Sequence, residues 1–349
     1  MHRKAHQSFA VFHASHVGAV RRAAAQDAST LGFSAEDSAK VALLATELAT
    51  NLVKHTQGGE VLLRSMESAP NEEEDAQRGI ELIAMDKGRG ISDVEHALQD
   101  GFSTAGSPGT GLGALRRLSH EFDIFSRPGH GTVVFCRFLK TKGVAAHPKG
   151  LEWGAVMLPR KGEEFCGDTW EIAHKGSQTF IMVADGLGHG PLAEEASKAA
   201  TVFFLNHLHL SPEDMIRGVH EALKGSRGAV VAVAVVNPAQ CRLSFAGLGN
   251  ISASILDSGT KHGLFVYDGI AGSQMRAVKE IHTDFPKHGI LILHSDGIET
   301  RWRFESYQGL QGHHPSVIAA ILMRDFSRPA DDAVVFVARI SRGQSHEFP

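Results

Sequence analysis

Apolar and polar positions follow two rhythms along this chain. Val41, Leu44, Leu48 and Leu52 recur at three- and four-residue intervals, the period of one helix face. Ser34 precedes that run with Asp37 three residues on, a capping-box-like pair, and the helix is expected to end near His55. A short strand over 8–13 and a helix over 15–31 come before it. Apolar segments predict strands over 60–66, 79–85 and 123–138, the last folded at Pro128-Gly129-His130-Gly131. The acidic stretch 67–78 reads as an exposed hairpin loop, and 112–121 as a helix. Residues 139–150 carry Lys, Gly and Pro with little apolar periodicity. Beyond them come strands near 152–158, 169–174 and 180–184, a helix over 192–209, and a helix start at Ser211-Pro212 with serine as cap and proline at the first position. Segments 229–237, 242–248 and 251–256 suggest a meander, and 333–339 a last strand. The expected organisation is a domain over 1–140, a linker over 141–150 and a domain over 151–349.

Polar residues interrupt the helix that ends near His55. Glu47, Asn51, Lys54 and His55 lie at offsets of 0, 4, 7 and 8, close to one face. The strand over 79–85 then runs into Asp86-Lys87-Gly88-Arg89-Gly90. A carboxylate there can face a base amino group while the glycines let backbone approach a ligand. Further on, Gly109, Gly111 and Gly113 lead a flexible loop into a helix whose first amides suit a polyphosphate. Helix with Glu47 and Asn51, then D-x-G-x-G, then G-x-G-x-G is similar to the GHKL family of ATP-binding domains, most closely the serine kinases of bacterial partner-switching pathways. The resemblance covers about residues 8–140 and implies an α/β sandwich with helices on one mixed sheet. It implies Asn51 holding Mg²⁺ against the phosphates of ATP, Glu47 as base for a substrate hydroxyl, Lys54 near the phosphates and Asp86 on the adenine amino group. Gly88, Gly90, Gly109, Gly111 and Gly113 would shape the pocket and its lid. No dimerisation helix pair precedes the domain, so a phosphohistidine relay is not expected.

Aspartates mark the ends of the later apolar runs. Asp168 follows Cys166-Gly167, Asp185 ends the run from Phe180 and is followed by Gly186-Leu-Gly-His-Gly190, Asp296 ends the run from Gly289, and Asp331 with Asp332 opens the last strand. A carboxylate at a buried strand end costs desolvation energy unless a cation compensates it, and hard cations take oxygen ligands. Four such positions suit a two-metal centre at which a polarised water attacks a phosphoryl group. Their order resembles the PPM-type serine/threonine phosphatases, in the bacterial branch serving sporulation and stress regulators. The match covers roughly residues 150–340 and implies an α-β-β-α architecture. It implies Asp185 as bridging ligand, the Gly186 carbonyl and Asp168 on one Mg²⁺ or Mn²⁺, and Asp296 with Asp331 on the other, Asp332 being the rival for the last place. Arg160 is a candidate phosphate contact.

Composition narrows the picture. At 349 residues and 42% hydrophobic content the chain can bury two cores. A net charge of −4 gives no support for nucleic-acid or membrane binding. Cys136, Cys166 and Cys241 show no C-x-x-C spacing, which fits a reducing cytoplasm, and no signal-peptide or membrane-length apolar run occurs. The combined expectation is an α+β bifunctional regulator, kinase and phosphatase, acting on STAS-domain antagonist or scaffold proteins. The alternative is an anti-sigma or partner-binding ATP module, holding a sigma factor or a downstream phosphatase, fused to a phosphatase that alone is catalytic.

Overall fold

A computed structural model describes residues 4–67, 78–99, 111–140 and 150–341, and the chain divides into two compact units, His6–Val144 and Ala145–Pro349. The acidic loop, the start of the glycine-rich loop with Gly109, and most of the expected linker lie outside the described residues.

The first unit runs β1 (Gln7–Val11), α1 (Ala14–Thr30), α2 (Ala35–His55), β2 (Gly59–Glu67), β3 (Arg78–Met85), α3 (Val94–Ala97), α4 (Gly111–Leu118), β4 (Glu121–Ser126) and β5 (Thr132–Leu139). Ser34 caps α2 by accepting from the Asp37 amide at 3.0 Å. The period read in the sequence is the buried face of α2: Val41, Leu44, Leu48 and Leu52 pack with Val20 and Ala24 of α1 and with Leu63, Leu82 and Cys136 of the sheet. Each such leucine contributes about 1.5–3 kcal/mol by leaving water. The strands lie in the order β1-β2-β3-β5-β4. Every described pairing is antiparallel, where a mixed sheet was expected. A helix pair separates β1 from β2, and the single crossover helix that makes parallel neighbours is not used there.

Alternation along these strands sends the neighbours of Leu63, Leu82 and Cys136 to the opposite face. There Arg64, Glu81, Arg137 and Glu121 stand in one cross-strand row. The Glu81 carboxylate accepts from Arg64 at 2.6 Å, from Arg137 at 2.7 Å and contacts His6 at 3.1 Å, while Arg137 also reaches Glu121 at 2.6 Å. Burial alone would raise the Glu81 pKa, yet Arg64, Arg137 and His6 hold it well below the carboxylate range. Glu81 therefore adds stability above its unfolded pKa and loses it as acid titrates the folded carboxylate.

The second unit runs β6 (Leu151–Leu158), β7 (Asp168–Lys175), β8 (Gln178–Gly186), α5 (Pro191–Asn206), α6 (Pro212–Ala222), β9 (Ala229–Asn237), β10 (Arg242–Leu248), β11 (Ser252–Asp257), β12 (Thr260–Gly263), β13 (Gly269–Ile270), β14 (Gln274–Met275), β15 (Ile281–Asp284), β16 (Ile290–His294), α7 (Pro315–Phe326) and β17 (Ala333–Ile340). Two sheets stack, β15-β10-β9-β8-β7 and β12-β11-β16-β17-β6. Helices α5 and α6 cover the first and α7 the second, giving α-β-β-α layers. Trp153, Trp170 and Phe336 meet between the sheets with ring centroids 5.1 to 6.2 Å apart. The expected three-strand meander is broken: β9 and β10 pair, but β11 joins the other sheet beside β16. The chain changes sheet at Gly249, whose φ of 101° only glycine adopts readily. Among the described residues no helix is long and apolar enough to cross a membrane.

The buried row yields a contrast in stability. Glu81→Gln leaves two arginines facing a neutral group and should destabilise the first unit by about 3–5 kcal/mol in urea unfolding. Arg78→Gln, which breaks the partly exposed pair with Glu67, should cost under about 1 kcal/mol.

Candidate functional site

Each unit gathers its own set of polar side chains. In the first, a cavity of about 620 Å³ opens beside α2. Glu47, Asn51, Lys54 and His55 line it from the helix, Asp86, Arg89 and Gly90 from the loop after β3, Gly111 from the start of α4, and Thr132 from β5. Asp86 is held by the strands: its amide donates to the Thr132 carbonyl at 3.0 Å, and its Oδ1 accepts from the Gly88 amide at 2.7 Å. A Cβ on Gly111 would lie 3.3 Å from both Glu47 Oε2 and Asn51 Oδ1, so any larger residue would fill the space above them. Among the described residues the buried Asn51 amide nitrogen finds no hydrogen-bond partner. Burial, with Arg89 and Lys54 nearby, lowers the His55 pKa. Gly113 is buried within α4 and is not among the described residues that line the cavity. His55, Thr56, Arg89 and Thr132 were not singled out as ligands by sequence; the i+8 position of His55 from Glu47 was the available signal.

In the second unit strand ends converge. Asp168 and Asp185 are register partners at the paired ends of β7 and β8. Asp296 lies two residues after β16 and Asp331 two before β17, strands that pair in the other sheet. A Cβ on Gly297 would collide with the Asp332 carbonyl oxygen, so the Ser295-Asp296-Gly297 turn can lie against the 331–332 turn only as glycine. Asp332 is buried and clasps the opposite chain segment, accepting from the Arg160 amide at 2.7 Å and the Gly167 amide at 2.8 Å. Asp331 is exposed beside it. Ser295 bridges the sheets as well: its hydroxyl donates to Asp168 Oδ2 at 2.5 Å and accepts from the Val334 amide at 3.1 Å. Behind it, Trp302 donates to His294 Nε2 at 3.2 Å and His294 Nδ1 donates to the Ser295 carbonyl at 2.8 Å. Asn250 donates to Asp296 at 2.7 Å. Ser295, His294, Trp302 and Asn250 were not found by sequence reasoning, although Ser295 stood next to Asp296.

The electrostatics show how close these carboxylates are. Burial, then repulsion from Asp185, raises the Asp168 pKa well above its usual value despite the Ser295 hydrogen bond. Burial, then Asp296, Asp331 and Asp332, pushes Asp185 up to about 8. Burial and Asp331 raise Asp296, and Arg328 opposes them. Among the described residues no three of these side chains already close on one point as a finished ligand shell. The site is a cluster of mutually repelling oxygen donors, a donor set that suits a hard divalent cation.

Comparison with known proteins finds a match for each unit. The description "Histidine kinase-like ATPase domain" matches residues 11–138, and "Stage II sporulation protein E (SpoIIE)" matches residues 175–341. Over 116 residues, 33% of this chain and 83% of the relative, the sequence is 33% identical to the serine/threonine-protein kinase RsbT of Bacillus subtilis (strain 168). The chain belongs to the RsbT family. It is also 27% identical over 143 residues, 41% of this chain and 72% of the relative, to the phosphoserine phosphatase RsbX of the same organism. A solved chain from "The bacterial stressosome: a modular system that has been adapted to control secondary messenger signaling" aligns with a TM-score of 0.51 and 27% identity, covering 54% of this chain and 99% of that one. The RsbT-family unit is thus fused to an RsbX/SpoIIE-type phosphatase domain, in a partner-switching regulator.

The carboxylate cluster generates two predictions. A raised aspartate favours its proton in the fold, so the metal-free protein should lose stability as pH rises from about 4 toward 8. Thermal melts with and without Mn²⁺ should therefore show a larger rise in Tm at pH 8 than at pH 6. Removing the hydroxyl that orients Asp168, as in Ser295→Ala, should weaken Mn²⁺ binding about 10–100-fold by calorimetry, with Ser295→Thr recovering most of it.

Proposed function

We propose that the chain is a bifunctional regulator whose first unit phosphorylates a serine or threonine of a STAS-domain protein at the expense of ATP, and whose second unit hydrolyses such a phosphoester with divalent metal. The observation that carries this reading is the presence in one chain of two polar constellations, the Glu47–Asn51–Asp86 cavity and the carboxylate cluster at the strand ends.

In the cavity, Asp86 is the carboxylate positioned for the adenine amino group. Asn51 would hold Mg²⁺ together with the phosphates, and the amides at the start of α4 with Lys54 would receive polyphosphate charge. Glu47, one turn before Asn51, would take the proton of the substrate hydroxyl as it attacks. In the second unit Asp185, Asp168, the Gly186 carbonyl, Asp296 and Asp331 would hold Mg²⁺ or Mn²⁺. Asp331 is preferred to Asp332 because both oxygens of Asp332 already accept backbone amides that tie the sheets together. Such cations neutralise phosphate charge and polarise the attacking water. The protein's own part is to keep these carboxylates aimed, through Ser295, Asn250 and the Asp332 clasp.

Incubation of a cognate STAS-domain protein with ATP and Mn²⁺, followed by intact-mass spectrometry, tests the proposal. The wild type should give a low steady-state phosphate level with continuing ADP release. Asp185→Asn should drive the substrate to near-complete phosphorylation, and Glu47→Ala should only strip a phosphorylated sample. If the phosphatase leaves the kinase's own product residue untouched, the two units do not share a substrate. Stable capture of a sigma factor by the first unit without phosphoryl transfer would favour the anti-sigma reading.

A further inference from the structure

Dephosphorylation needs a positive group for the phosphate oxygens that the cations do not hold, and a guanidinium is suited to it through paired, charge-assisted hydrogen bonds. Arg160 was the candidate in the sequence. Its backbone amide is committed to Asp332, which spends the main chain of that residue on the clasp between strand ends. His189 does act on Asp332, but its ring is engaged with Glu163 at 3.1 Å.

Arg328 is placed differently. It opens the turn that leads into Asp331, whose amide donates to the Arg328 carbonyl at 3.2 Å. Its own amide donates to the Gly297 carbonyl at 2.7 Å, one residue after Asp296. Two backbone hydrogen bonds thus fix Arg328 between two of the clustered aspartates, on the exposed rim. From that position its charge lies close enough to act on Asp296. Among the described residues the hydrogen bonds of Arg328 are those of its backbone, and its guanidinium forms no ion pair there.

We propose that Arg328 binds the phosphate of the phosphoserine or phosphothreonine substrate, as the specificity group of the phosphatase site. This rests on the phosphatase reading of the carboxylate cluster. The substrate is a phosphomonoester dianion on an extended protein segment, entering over the 328–331 turn with its phosphate bridging the cation site and the Arg328 guanidinium. Arg328 makes and breaks no bond; it holds the equatorial oxygens while water displaces the serine or threonine oxygen, which leaves with a proton, and inorganic phosphate remains.

The test uses the full chain loaded with Mn²⁺, a phosphoserine peptide as substrate and inorganic phosphate as inhibitor, with Mn²⁺ affinity measured separately by calorimetry. Arg328→Ala should raise both the KM for the peptide and the inhibition constant for phosphate about tenfold or more, the loss of a charge-assisted contact. Mn²⁺ affinity should stay the same or tighten, since a cation beside Asp296 has been removed. Arg328→Lys should recover part of the phosphate affinity. Unchanged phosphate inhibition in Arg328→Ala overturns the proposal, as does a fall in Mn²⁺ affinity large enough to account for the lost activity. A tenfold effect from Arg227→Ala instead, whose guanidinium lies beside Gly188, also overturns it. A wild type that hydrolyses no phosphopeptide with Mn²⁺ present contradicts the phosphatase reading itself, and the proposal with it.

Discussion

Asp168 and Asp185 face each other across neighbouring strands, and Asp296 and Asp331 close in from the second sheet. Like charges at that spacing in a partly dry site repel strongly, so the cluster persists only because the backbone leaves it no alternative. The clasp of Asp332 on the Arg160 and Gly167 amides and the Ser295 bridge to Asp168 fasten the two sheets together at this end. Without compensation the fold answers the crowding with protons, as the rise of Asp185 to about 8 expresses. A divalent cation answers it better at neutral pH, because it replaces repulsion among the donors with attraction to a shared centre. The chemistry of the site and the cohesion of the sandwich are in this sense one constraint.

The first unit handles buried charge in the opposite way. Glu81 sits between Arg64 and Arg137 in a cross-strand row, with opposite signs alternating, so the charge is balanced within the sheet. The face turned toward the helices is largely apolar, and Glu47 and Asn51 of α2 meet the cavity beside it. Asp86 stands there with one oxygen bound to the Gly88 amide. The first unit thus sets Glu47, Asn51 and Asp86 around one cavity, while the second crowds its carboxylates at the strand ends.

Much of this was legible in the chain, for reasons that follow from its physics. The face of α2 and its serine cap could be read because helix periodicity and capping are local. The aspartates stood out because a carboxylate at the end of an apolar run breaks a pattern. The sheet change after β10 was missed because β-branched composition is the same whichever sheet a strand joins; only Gly249 hinted at it. The choice between Asp331 and Asp332 was hidden because adjacent residues look alike until burial and amide partners separate them. Ser295, His294, Trp302 and Arg328 could not be placed by spacing, since their partners lie far away in sequence or on another strand. The buried row around Glu81 was invisible for the same reason, as each of its charges taken singly looks like a solvated surface residue.

The central proposal is that the clustered aspartates would hold two divalent cations, with Asp185 as a ligand to both. Titration of the metal-free, nucleotide-free chain with Mn²⁺ at pH 7.5, followed by calorimetry and by electron paramagnetic resonance, tests it most directly. The account predicts two bound ions whose spins couple magnetically, and loss of both in Asp185→Asn. A single isolated ion, or Mn²⁺ binding that survives Asp185→Asn unchanged, would contradict it.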